Sequence, residues 1–524
     1  MTVETALPLM VALPIIAAGL TAFARRRRWW TTTLLLLVQV GLFAAAIALV
    51  VRTSDGDVLA HQVGGWIPGV AIPFVVDAFS ALMLTVSGGL ILVCTMFALQ
   101  VETGRNRFYA PLAMVLQAGV NGALLTGDVF NMFVFIEVML LPTYGLLVLA
   151  ARRRGTRASV VGSRLYVTYN LFVSTLFLAG VAMLYGTAGT VNLGELAGAA
   201  VEDPWVAAAA AVCLFALSMK AAVVPVHGWL ARAYPSTSPA ITALISGLHT
   251  KVAIYAIYRL YAVIFEGDER FLWIGVVLFS ATMLIGVLGA VGEDRMRSIL
   301  AFHMVSQIGY ILLGVALFTP FGLTAGIAYL LHHMIVKASL FLSTGAIEER
   351  FGTDRLSELK GRIGKEPLLA LAFGAAAMSL AGIPPMSGFV AKFSLITATF
   401  QAGWIIAAVI ALIVSLITLQ SMLKIFNGVF SPTIKGHPAP SGGGTAGPAT
   451  PAPGAGTAGG ATTEVLASAP ALPRPTRLAL ASPALLLAAV SLMLGLGGEG
   501  LLSLAETAAA NLYDTSGYVE AVLR

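Results

Sequence analysis

The chain has 524 residues, of which 58% are hydrophobic and only 11% charged, where an ordinary soluble domain has about 25% charged. A mean hydropathy of +0.89 excludes a water-soluble globule, because no single core could hide so much apolar surface, and requires repeated apolar runs that face lipid. The formal charge of +6 would suit a nucleic-acid binder in a soluble chain; here its placement carries the information, and no nucleic-acid partner is expected.

Apolar runs predict membrane helices at 6–24, 32–51, 72–100, 108–127, 128–151, 164–188, 205–230, 239–264, 271–292, 297–318, 321–347, 367–400, 402–427 and 476–497. The expected fold is thus an all-α polytopic membrane protein of about 14 transmembrane helices. The first run precedes Arg25, Arg26, Arg27 and Arg28, whereas a cleaved signal peptide carries its positive charge ahead of the apolar stretch, so this run stays, with the N-terminus outside. With alternating helices, the loops expected to be cytoplasmic hold 23 of the 31 Lys and Arg. Four lie on the outer side: Arg52, Arg259, Arg270 and Arg524, with Arg259 read as snorkelling from its helix end. This is the positive-inside asymmetry of a membrane protein, and it places both termini outside.

The four remaining basic residues, Lys220, Lys251, Lys337 and Lys392, all fall inside predicted spans, and Glu137 is the one acid near mid-depth. A charge at the bilayer centre costs about 2.5–3.5 kcal/mol on insertion scales, so such residues persist where they pair, face water or perform a function. A buried lysine can take up and release a proton. Glu137 on the fifth helix and Lys220 on the seventh would form an ion pair if they met; a change in that pairing would prompt Lys220 to release its proton, and Lys251 on the eighth would accept it through water. The structural alternative for any one lysine is a static ion pair or snorkelling, Lys392 being nearest a helix end. His333 precedes Lys337 by four residues, which stacks the two about 6 Å apart on one helical face, whereas His332 points away. His249, two residues before Lys251, and His303, in the run AFHMVSQIGYI, are further candidates.

Two long spans contain helix breakers: Pro225 in LSMKAAVVPVHGWLARAYP, and Pro384 and Pro385 in MSLAGIPPMSGFVAKFSLI. They stand five helices apart, which predicts two five-helix repeats, 108–264 and 271–427, of inverted topology, a transporter pattern. Three helices over 1–101 precede them. A Gly-, Pro- and Ala-rich segment, 428–475, reads as a disordered cytoplasmic linker, and 476–524 holds a last helix and a short outer tail.

Cys94 and Cys213 both sit in apolar runs, which excludes a disulfide framework or a cysteine-ligated cluster within this chain. No phosphate loop, His-Glu-x-x-His motif or serine nucleophile elbow is present, so no cofactor and no enzymatic chemistry are expected. A sodium ion wants several oxygen ligands and is repelled by lysines; the expected cargo of this chain is therefore the proton, with any metal-ion path running largely through partners.

The segments GDVFNMFVFIEVMLLPTYGLL, ALSMKAAVVPVHGWLARAYPSTSPAITALISGLHTKVAIYAIYR, AFHMVSQIGYILLG, HHMIVKASLFLSTGAIE and SLAGIPPMSGFVAKF resemble the antiporter-like subunits shared by proton-pumping NADH:quinone oxidoreductase and Mrp-type multisubunit cation/proton antiporters. The resemblance covers roughly 70–430, and it puts Glu137, Lys220, Lys251, Lys337 and Lys392 on the family's proton-translocating positions. The tail AETAAANLYDTSGYVEAVLR and FNMFVFIEVMLLPTYGLL look like the D-type subunits of the Mrp group. The resemblance implies a bacterial inner-membrane protein that moves protons through a Glu/Lys/His relay to drive cation efflux, with Na+ the expected cation. Its implied partners are a larger antiporter-like subunit, small helical subunits and the lipid bilayer. The alternatives are the membrane arm of a redox enzyme, where the same relay runs outward under electron transfer, and a structural scaffold.

Overall fold

A computed structural model describes residues 2–23, 28–66, 71–154, 156–360, 366–431 and 476–524. Helices α1 (Val3–Ala6), α2 (Leu9–Phe23) and α3 (Arg28–Arg52) lead into a two-stranded antiparallel hairpin, β1 (Leu59–Gln62) and β2 (Pro73–Val76), with Leu59 opposite Val76 and Gln62 opposite Pro73. There follow α4 (Ala78–Gln100), α5 (Tyr109–Leu125), α6 (Val129–Arg154) and α7 (Arg157–Ala188), then α8 (Ala199–Glu202), α9 (Pro204–Lys220), α10 (Gly228–Ala233) and α11 (Pro239–Ile264). The next group is α12 (Leu272–Val291), α13 (Met296–Leu317), α14 (Pro320–Phe351), α15 (Leu356–Leu359), α16 (Pro367–Ala381), α17 (Ser387–Gln401) and α18 (Ile405–Phe430). The chain closes with α19 (Thr476–Leu496), α20 (Gly498–Tyr513) and α21 (Ser516–Leu523). Among the described residues, eleven helices are long and apolar enough to cross a membrane, and Tyr109–Leu125, Pro204–Lys220 and Pro367–Ala381 are shorter apolar helices.

The third expected span, 72–100, begins later than its hydropathy suggests. Residues 73–76 are β2, whose Phe74, Val75 and Val76 suit a pleated strand, and Asp77 starts α4 as its N-cap, accepting from Ser80 N at 2.9 Å while Ser80 Oγ accepts from Asp77 N at 3.0 Å. The expected short tail beyond 497 forms two helices, and Leu501, Ala505, Ala508, Ala509 and Leu512 form a stripe that α20 buries against the bundle. The expected linker lies outside the described residues except at its start, where α18 continues to Phe430.

Polarity sorts the helices by depth in the protein. The α11 and α14 windows are wholly buried and have mean hydropathy 1.4, while α3 is one-third buried and reaches 2.8. The side of a helix that touches lipid must be apolar, whereas a side enclosed by protein can carry polar groups that its neighbours satisfy. Lys251, His333 and Lys337 occupy these two enclosed helices.

Both predicted helix breaks are present and use one device. At the end of α9, Val223 N bonds Ser218 O and Ala222 N bonds Met219 O; at the end of α16, Ile383 N bonds Met378 O and Gly382 N bonds Ser379 O. These are Schellman closures, which need a left-handed residue, supplied by Ala222 (φ 63°) and Gly382 (φ 87°). After the second break α17 returns so close to α16 that a Cβ on Gly388 would run into the Ser379 carbonyl. Gly388→Ala should therefore destabilise the protein by about 1–3 kcal/mol; an unchanged melting temperature of the purified protein would contradict this packing.

Candidate functional site

The ionisable side chains singled out in the sequence converge on the enclosed helices. Lys220 is the last residue of α9, placed against the first break and 2% exposed; its Nζ has no hydrogen-bond partner. Glu137, half-buried on α6, acts on it electrostatically, but no hydrogen bond joins them and Glu137 Oε1 is also without a partner. The two are thus electrostatic neighbours without a direct contact. His249 on α11 feels the Lys220 charge and is fixed by two hydroxyls, Tyr166 at 2.8 Å on Nδ1 and Thr143 at 3.0 Å on Nε2.

Two residues further along α11, Lys251 donates to Ser246 O at 2.7 Å and to Thr250 Oγ1 at 3.1 Å. From α14, Lys337 donates to Leu300 O of α13 at 2.9 Å. His333 interacts electrostatically with Lys251 and Lys337, and His303 on α13 with Lys337 and Lys392. Neither His333 nor His303 has a hydrogen-bond partner on either ring nitrogen, and both are fully buried. A buried polar group without a partner costs about 1–3 kcal/mol, so such groups point to a purpose other than packing.

Lys392 on α17 is 4% exposed and donates to the Ala381 carbonyl at 3.1 Å and to Ser415 Oγ at 3.0 Å. It turns inward rather than snorkelling. The reason is local: the break ends α16 at Ala381 and frees carbonyls at the negative end of the helix dipole, and an ammonium satisfies both needs. Arg259, expected to snorkel, is likewise 1% exposed and pairs with Asp77 at 2.6 Å.

Electrostatic neighbours thus run in two sets. One is Glu137, Lys220 and His249; the other is Lys251, His333, Lys337, His303 and Lys392, and α11 carries a member of each set two residues apart. A proton placed on one group disfavours a proton on the next, so a row of this kind can hand protons along singly. Among the described residues no cluster of His, Cys, Asp or Glu could hold a metal ion.

Sequence reasoning missed one part of the site. His332, read as pointing away, places Nδ1 2.8 Å from Ser387 Oγ; Ser387 and Ser379 both contact Ser491 of α19, at 2.9 and 2.7 Å, and His332 feels the Lys392 charge. The hint was Ser379, Ser387 and Ser491 within three apolar runs, legible only once α19 is known to pack on α16 and α17.

Residues 126–418, more than half of the chain, match the family described as NADH:quinone oxidoreductase/Mrp antiporter, transmembrane. The chain belongs to that family. This Mrp-antiporter family member is 41% identical to the D-type subunit of the Na+/H+ antiporter of Alkalihalophilus pseudofirmus over 74% of its own length and 79% of the relative. It is 31% identical to the corresponding Na+/H+ antiporter chain of Bacillus subtilis, over 93% and 92%. A chain in the structure of the Mrp complex from Dietzia sp. is 55% identical and superposes with a TM-score of 0.90, covering 100% of both chains. The family member is a multi-pass membrane protein and a transporter component rather than a catalytic enzyme.

Proposed function

We propose that the chain is the proton-translocating D-type subunit of a multisubunit Na+/H+ antiporter, in which protons passing through it drive cation efflux by the complex. The observation that carries this reading is the buried row of four lysines and three histidines on α9, α11, α13, α14 and α17 in a chain 55% identical to a chain of an Mrp complex. In it Glu137, Lys220, Lys251, Lys337, Lys392, His249, His303 and His333 are the proton carriers. The lysines leave no cage for a sodium ion, so the cation crosses largely through partners, a larger antiporter-like subunit and small helical ones.

Fourteen crossings and two inverted five-helix repeats, 108–264 and 271–427, belong to this reading. It is supported by eleven long and three shorter apolar helices, and by broken helices that end in the same closure. So does a cell-membrane location with both termini outside, supported by the basic residues gathered in alternate loops.

The test is to purify the chain with its bound partners, then measure proton/cation exchange in everted vesicles for wild type and Lys220→Ala. Small hydrophobic partners, with exchange reduced at least tenfold in the variant, support the proposal. Flavin or iron–sulfur subunits in stoichiometric amounts would replace it with a respiratory membrane arm. Undiminished exchange in Lys220→Ala would remove the lysine from the proton path.

A further inference from the structure

We infer that the Asp77–Arg259 pair, with the C-terminal helix α21 laid over it, forms a gate that closes a line branching from the proton row at Lys251; the inference rests on the transport reading above. Lys251, Tyr255 and Arg259 follow one another at four-residue intervals on α11, so they stack along one face of the helix. Tyr255 donates its hydroxyl hydrogen to Leu124 O at 2.9 Å, and Arg259 Nη2 stands 3.4 Å from that hydroxyl and 2.6 Å from Asp77 Oδ2. A line of polar groups thus leads from Lys251 to the guanidinium.

The far side of that guanidinium is closed by a short helix. The Tyr518 ring lies 4.4 Å from the Arg259 guanidinium carbon and is 3% exposed, and Arg259 Nε and Nη1 have no hydrogen-bond partner. An arginine with idle donors held between an acid and an aromatic face is under-used as a structural tie, and a buried ion pair is weak evidence of stability, since an apolar pair would join α4 to α11 as well. What only the arginine supplies is a positive charge that cannot be discharged by losing a proton. Placed at the end of the line that leaves the row at Lys251, it repels an arriving proton and bars free passage. Asp77 keeps the guanidinium in line: its Oδ1 is already engaged by Ser80 N at 2.9 Å and Ser80 Oγ at 3.0 Å, so Oδ2 is fixed toward Arg259.

The cover itself is lightly fastened. Of its eight residues α21 buries Tyr518 and Val522, and Gln62 of β1 holds its last turn by donating Nε2–H to Val522 O at 2.8 Å. Lifting α21 exposes the guanidinium and its idle donors, and a rotation of Arg259 away from Asp77 then leaves the carboxylate as a proton acceptor at the end of the line.

The experiment is passive collapse of an imposed pH gradient in everted vesicles holding the assembled complex, with no transported cation present and the rate expressed per complex. Tyr518→Ala should raise this cation-independent leak at least severalfold, and Tyr518→Phe, which keeps the ring over Arg259, should stay as tight as wild type. A structural tie alone would lower the amount of complex without raising leak per complex. Should Tyr518→Ala not assemble, Gln62→Ala, which frees only the last turn of α21, carries the test with the same expectation. Wild-type tightness in whichever alanine variant assembles overturns the gate, as does a leak in Tyr518→Phe equal to that of Tyr518→Ala. If wild-type vesicles show no cation-dependent proton exchange, the transport reading fails instead.

Discussion

Exchange of Lys337 for methionine is expected to lower proton-coupled cation exchange by about 10²-fold, the lower end of what one positioned proton-transfer group contributes, with little change in the amount of assembled complex. Lys337 is fully buried in the second set of ionisable groups, where it interacts electrostatically with Lys251, His333 and His303. Methionine fills a similar volume, so the cavity term that alanine would add stays small, and the lost partner is a single carbonyl, Leu300 O. What disappears is a site that can hold a proton between two others. Exchange in everted vesicles within twofold of wild type would show that protons bypass Lys337, and the row would then have to be redrawn.

Arg297→Ala should act on stability instead. Arg297 lies in the first turn of α13, is 1% exposed, and joins Glu348 at 2.7 Å and the Thr237 carbonyl at 2.5 Å, so one guanidinium ties α13 to the end of α14 and to the turn ahead of α11. Removing one partner of a buried ion pair leaves the other charge uncompensated, a loss of about 3–5 kcal/mol. The melting temperature and yield of the solubilised complex should both fall; a loss below about 1 kcal/mol would mean that water reaches Glu348 and replaces the arginine.

These two residues mark where the sequence was legible. Lys337 stood out at once, because a charge in the middle of an apolar run is anomalous whatever surrounds it, and the same logic found Lys220, Lys251 and Lys392. The helix breaks were equally visible, since proline acts on its own backbone. Arg297 was counted with the loop charges because it sits at the end of a run; its burial comes from Glu348, 51 residues on, a pairing that no local pattern encodes. Arg259 was misread for the same reason, its partner Asp77 lying 182 residues earlier. Hydropathy also hid β2, whose residues are as apolar as a helix run, and it missed the serine cluster around His332, where hydroxyls from three helices meet. Local chemistry could be read from order alone, while long-range pairing needed the third dimension.

Ser491 carries a consequence for how the protein is made. It completes the hydroxyl chain from His332 through Ser387 and Ser379, yet it is synthesised more than a hundred residues after Ser379. Until α19 emerges from the ribosome, the second broken helix has Lys392 and its carbonyl but lacks the last hydroxyl of its neighbour network. Premature termination after α18 would therefore leave every lysine of the row translated and the site still one member short, a built-in delay between making the buried lysines and finishing their surroundings.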